Sequence, residues 1–133
     1  MKELDKEVAK WLDKADHDLG SAKIIYLHLP DYVDTIAFHC QQAVEKYLKA
    51  SLIFYQIDFI RSHDLVYLLE LLAVKIDIED STFKKAFLLS NYAVQIRYPE
   101  KVIKLSREEI ESAISISEEF RNFVLNIVGE VHI

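Results

Sequence analysis

Only four residues in this 133-residue chain are strong breakers of backbone regularity: Gly20, Gly129, Pro30 and Pro99. In a helix interior glycine costs about 1 kcal/mol relative to alanine, and proline about 3 kcal/mol. A chain so poor in both can hold long helices and few tight turns, which points to an all-α protein. Apolar residues make up 51% of the sequence and are spread along its whole length, so such helices have a common core to bury. At this length a single helical domain, residues 1–133, can close that core without disulfides or metals.

Hydrophobic periodicity divides the chain into five helical segments. The first is expected from about Lys2 to Leu27, carried by Leu4, Val8, Trp11, Leu12, Ala15, Leu19, Ala22 and Ile25 at spacings near three and four. After Pro30, a cap from Asp31 or Asp34 is expected to open the second, from about Tyr32 to Tyr55. A short third helix follows Ser62, whose hydroxyl can accept from a first-turn amide, and carries Leu65, Leu68, Leu69 and Leu72. A polar link, Lys75 to Ser81, leads to the fourth, Thr82 to Ile96, and Pro99 disfavours helical geometry at Tyr98, predicting a break at Arg97-Tyr98. Ser106-Arg107-Glu108-Glu109 is a capping-box signature opening the fifth, which runs to about Val128. The lengths suit an antiparallel up-down bundle of four main helices plus the short third one at one end.

Composition narrows the chemistry. No apolar run is long enough to span a bilayer and MKELDKEVAKW lacks a signal-peptide core, so a cytoplasmic protein without a membrane partner is expected. Cys40 is the only cysteine, which excludes an internal disulfide and a multi-cysteine metal site. A net charge of -6, from 22 acidic and 16 basic residues, gives no global field to capture nucleic acid. There is no glycine-rich phosphate loop, nucleophile elbow or H-E-x-x-H pair, and no cofactor is expected. Asp16-His17-Asp18 looks metal-like, but successive helical residues diverge, so a solvated face is expected there.

The richest segment is Phe38-His39-Cys40-Gln41-Gln42-Ala43-Val44-Glu45-Lys46-Tyr47-Leu48-Lys49-Ala50, followed by Arg61-Ser62-His63-Asp64-Leu65. This pair resembles the HEPN domain, whose FxxQQAxEKxLKA-type helix precedes an R-x-HDLxxLL segment. The resemblance implies a helical bundle, usually a homodimer, that binds a nucleotide or RNA ligand. It also implies a frequent companion, a minimal nucleotidyltransferase, in two-component or toxin–antitoxin-like pairs. The ribonuclease branch carries Arg-x4-6-His near the break after the fourth helix. Here those offsets from Arg97 hold Val102, Ile103 and Lys104; His63 is two residues beyond Arg61, and His132 eleven beyond Arg121. Metal-independent RNA cleavage needs a base and a phosphorane-stabilising cation, so the departure points away from that activity.

Helical angles put Ile36, Cys40, Ala43, Val44, Tyr47, Ser51 and Phe54 on one stripe of the second helix, the expected core face. Phe38, Gln42, Glu45, Lys49 and Ile53 lie opposite, with His39 and Lys46 along a margin. Two readings fit His39, Gln42, Lys46 and Lys49: a wetted edge with local pairing, or a ledge beside a dimer groove where the lysines meet phosphate and Gln42 reads a base or ribose. Arg61 and His63 stand where a loop becomes a helix. Either they face an anion at the helix N-terminus, or Ser62 and Asp64 cap, His63 packs and Arg61 pairs with an acidic neighbour. Tyr98 and Tyr92 flank Arg97 and are candidates for base stacking, while the remaining tyrosines are expected to pack the bundle. The best overall fit is a non-catalytic dimeric module binding a nucleotide, a minimal nucleotidyltransferase or both. The alternatives are a divergent ribonuclease using His63 with Arg61 or Arg97, and a purely structural oligomerisation domain.

Overall fold

The structure, a computed structural model, describes residues 3–97 and 105–129, with the backbone alone at 93–97. Its helices are α1 (Glu3–His28), α2 (Val33–Phe54), α3 (Leu65–Leu72), α4 (Asp80–Arg97) and α5 (Arg107–Val128), and the described residues contain no strand. The protein is all-α, and the boundaries fall within one or two residues of those read from periodicity. α4 extends through Arg97; Tyr98 and Pro99 lie outside the described residues.

Cross-helix pairs give the topology. Tyr26 meets Glu111, Lys23 meets Glu118 and Asp16 meets Arg121, so positions fall along α1 as they rise along α5. The two helices are therefore antiparallel. α2 packs against each of the other four, and residues from all five helices join one core. Cys40, Ala43 and Ser51 are fully buried on α2, where small side chains permit close approach. Ser117 of α5 reaches the Cys40 carbonyl at 3.3 Å, tying α5 directly to the backbone of α2.

Local signals account for most helix ends. At α5 the capping box is complete: Ser106 Oγ accepts from the Glu109 amide, and Glu109 Oε1 accepts from the Ser106 amide at 2.9 Å. The N-terminus of α2 differs from expectation. Its N-cap is Tyr32, with no side-chain cap from Asp31 or Asp34; the turn before it is closed by the Tyr32 amide on the Leu29 carbonyl at 3.0 Å. At α3 the cap is Asp64, which accepts from the Val66 and Tyr67 amides. Ser62 Oγ instead accepts from the Asp64 amide, one step before the first turn.

The C-terminus of α2 closes as a Schellman motif, with the Ile57 amide on the Leu52 carbonyl and the Gln56 amide on the Ile53 carbonyl. That geometry forces Gln56 to a φ of 58°, where a side chain is strained and glycine is not. Gln56→Gly is expected to stabilise the fold by about 0.5–1 kcal/mol, the relief of strain exceeding the entropy added to the unfolded chain. Urea denaturation would show it as a raised midpoint at unchanged slope.

Candidate functional site

The side chains singled out on α2 are organised by two carboxylates. Asp18, from α1, holds His39 Nδ1 at 2.9 Å on one oxygen and Lys46 Nζ on the other. Glu45, from α2 itself, holds Lys49 Nζ at 2.9 Å and His63 Nδ1 at 2.8 Å. Each carboxylate thus serves one lysine and one histidine. The Glu45 and Lys49 side chains are only 5% and 8% exposed, so both charges are desolvated and depend on each other. Trp11 and Phe59 flank the ammonium, with ring centroids 5.6 and 5.9 Å away.

This corrects the two-faced reading of α2. Glu45 and Lys49, expected opposite the core face, are buried within this chain. α1, α3 and the segment leading into α3 supply the cover, and only Phe38 remains largely exposed on that side. In the Asp16-His17-Asp18 run Asp16 and His17 are exposed, as a solvated face requires, while Asp18 is largely covered and both carboxylates are engaged by other helices. Asp16 Oδ1 accepts from the Tyr47 hydroxyl and from Arg121 Nε at 2.9 Å, linking α1, α2 and α5. Burial, followed by the bond to Asp16, pushes the Tyr47 hydroxyl pKa well above its ordinary value.

Gln41, absent from the candidates read from sequence, is the buried member of the glutamine pair. Its amide donates to the His63 carbonyl at 2.8 Å and its carbonyl accepts from Gln42 Nε2 at 2.9 Å. With Glu45 gripping the imidazole, α2 therefore holds the Arg61–Asp64 turn by both backbone and side chain. The Gln41-Gln42 doublet was the signal available in the sequence.

The start of α3 has few donors left for an anion. The Asp64 amide goes to Ser62 Oγ, the Leu65 amide to Ser90 Oγ at 3.3 Å, and the Val66 and Tyr67 amides to Asp64. A ligand at this turn would meet side chains, namely exposed Arg61 and half-exposed His63. Neither the packed histidine nor the paired arginine expected above is found: His63 is open on one side, and Arg61 forms no ion pair with a described residue. The Arg97 side chain and Tyr98 lie outside what is described, and Tyr92 is buried and offers no face for base stacking.

Cys40 is buried and its thiol pKa is pushed up to about 12 by burial, which makes it a core residue and not a nucleophile near neutral pH. Clefts along α1 and α5, the larger about 470 Å³ and lined by Lys23, Tyr26, Glu111 and Glu118, are spanned by paired charges. Among the described residues no three His, Cys, Asp or Glu side chains converge as for a metal ion, and no helix is long and apolar enough to cross a membrane.

Removing one partner of the buried pair should cost far more than removing both. Glu45→Ala is expected to lose about 3–5 kcal/mol by stranding Lys49, whereas Glu45→Leu with Lys49→Met recovers most of that loss. Urea midpoints of the single and double variants measure the difference.

Solved structures with the same fold include three proteins. TT1696 from Thermus thermophilus is 27% identical with a TM-score of 0.79, over 90% of this chain and 97% of that one. ST0689, an archaeal HEPN homologue, is 22% identical with a TM-score of 0.74, over 96% and 99% of the two chains. An HEPN domain protein from Thermotoga maritima is 22% identical with a TM-score of 0.76, over 91% and 98%. Comparison with curated proteins finds no match. The HEPN domain family model matches residues 8–128, which takes in the α2 seam and the turn it holds, and the chain belongs to the HEPN domain family.

Proposed function

We propose that this HEPN protein is a non-catalytic module that works by association, as a homodimer and with a minimal nucleotidyltransferase partner. The observation that carries the reading is the exposed apolar corner where α1 turns into α2. Ile24, Leu27, Leu29, Tyr32 and Phe38 are all exposed there, with Leu27 at 73%. Scattered apolar residues need no explanation, but five large ones within fifteen positions of one helical corner fit a surface that another chain covers.

Nucleotide binding is the finer part of the proposal and has less support on α2. Lys46 and Lys49 are already neutralised by Asp18 and Glu45, so a phosphate would have to displace a carboxylate to reach either. Arg61 and His63, at the edge of the seam, are the better placed groups. The ribonuclease alternative retains one supporting contact, the carboxylate-held imidazole of His63.

Light scattering after size exclusion should give twice the chain mass, and Leu27→Glu with Phe38→Glu should shift the protein to monomer without unfolding it. Co-purification with a minimal nucleotidyltransferase, or a thermal shift of several degrees with a nucleotide, would identify the ligand side of the module. A monomer that binds neither removes the reading. Cleavage of short RNA by the wild type but not by His63→Ala would replace it with the ribonuclease one.

A further inference from the structure

His63 is the one described histidine whose ring is both fixed by a buried carboxylate and substantially open to solvent. Its side chain is 51% exposed, while the carboxylate that holds Nδ1 is 5% exposed. His39 has a comparable bond to Asp18, but its side chain is only 27% exposed and packs edge-on against Phe38. His17 is open, yet it faces exposed Asp13 at 3.7 Å through Nε2, and His28 is an exposed residue at the end of α1.

The bond to Glu45 points to which nitrogen of His63 is reactive. Glu45 accepts from Lys49 through its other oxygen, and a carboxylate so paired serves as an acceptor toward the ring as well. Nδ1 must then be the donor, and the neutral ring carries its lone pair on Nε2. Gln41 holds the His63 carbonyl at 2.8 Å, so backbone and ring are fixed together. Nε2 has no hydrogen-bond partner among the described residues. The result is an oriented nucleophile with a free approach.

We propose that His63 Nε2 is a phosphoryl-acceptor site, filled by a donor of the phosphoramidate or acyl-phosphate class, with Glu45 as its positioning residue. The Nε2 lone pair attacks phosphorus and forms the new N–P bond. The P–N bond of a phosphoramidate breaks and ammonia departs with the electron pair; from an acyl phosphate a carboxylate departs instead. The ring keeps its Nδ1 proton and becomes cationic, and Glu45 faces that charge. Arg61, exposed two residues earlier in the same turn, is a cation available to the phosphoryl oxygens, while the nearby Asp64 carboxylate is engaged by the Val66 and Tyr67 amides.

An acceptor role fits the location better than a general-base role. A general base acts where a substrate hydroxyl is held within hydrogen-bond reach of it. His63 stands on a turn at the start of α3, outside the clefts along α1 and α5, where another protein's active site can reach it.

The test is treatment of the full chain with potassium phosphoramidate, with the phosphate located by mass spectrometry under non-acidic conditions and by phosphorus NMR. His63 is expected to react several-fold faster than His17 and His28, on Nε2, and His63→Asn to abolish that product. Glu45→Gln, which removes the charge that compensates the cationic ring, is expected to slow His63 and leave His17 unchanged. Nitrogen NMR of the wild type, which needs no variant, should show the Nδ1–H tautomer at His63. Reaction at His63 no faster than at His17, reaction on Nδ1, or a dominant Nε2–H tautomer would each overturn the proposal. None of these outcomes depends on the oligomeric state or on a nucleotidyltransferase.

Discussion

Everything in this bundle is conditioned by how much of α2 is covered. α1, α3, α4 and α5 all pack on it, so Glu45 and Lys49 are buried and Lys46 is mostly covered. A buried ionised group costs several kcal/mol unless paired and hydrogen-bonded, so these charges have to find their counter-charges inside the protein. Glu45 and Lys49 find each other one turn apart; Lys46 and His39 draw Asp18 from α1. Apolar residues of similar volume would come close to the same stability at Glu45 and Lys49. What the ionic pairs add is register, since Asp18 meets Lys46 and His39 only when α1 and α2 are set at one axial offset.

Asp16 extends the same logic to the third layer. It joins the Tyr47 hydroxyl, at the heart of α2, to Arg121 on α5. Two carboxylates two residues apart on α1 thus point toward different neighbours, as helical geometry requires. The α1 segment from Asp16 to Asp18 is a hub for the bundle because it is polar on sides that face other helices.

The division between what could be read from sequence and what could not follows from range. Breaker scarcity, the three-four spacing of apolar residues and the Ser106–Glu109 box are local, and each became the element it indicated. The apolar stripe on α2 was legible too: Ile36, Cys40, Ala43, Val44, Tyr47 and Ser51 are buried. Its opposite face was not, because a helix covered on most sides offers little contrast for periodicity to detect. Lys49 and Glu45 looked like surface residues for that reason. The pairings of Asp18 with Lys46 and of Glu45 with His63 span 28 and 18 positions, beyond any local pattern. Asp64 is legible as a residue that occupies the start of α3; the serine from α4 that takes the Leu65 amide is not.

The same accounting bears on function. A phosphate-binding helix start needs spare amides, and those of α3 are taken by Ser62, Asp64 and Ser90. A phosphate-binding lysine ledge needs spare ammonium groups, and both Lys46 and Lys49 are committed to carboxylates. The polar seam therefore acts first as internal scaffolding. Its chemistry reaches solvent at His63, where a buried carboxylate ends in a half-exposed ring. Surface left to recognise something else includes the apolar corner from Ile24 to Phe38 and the ring at the end of the seam. Association through the first and chemistry at the second need not compete, because they use different residues of a frame that α2 holds rigid.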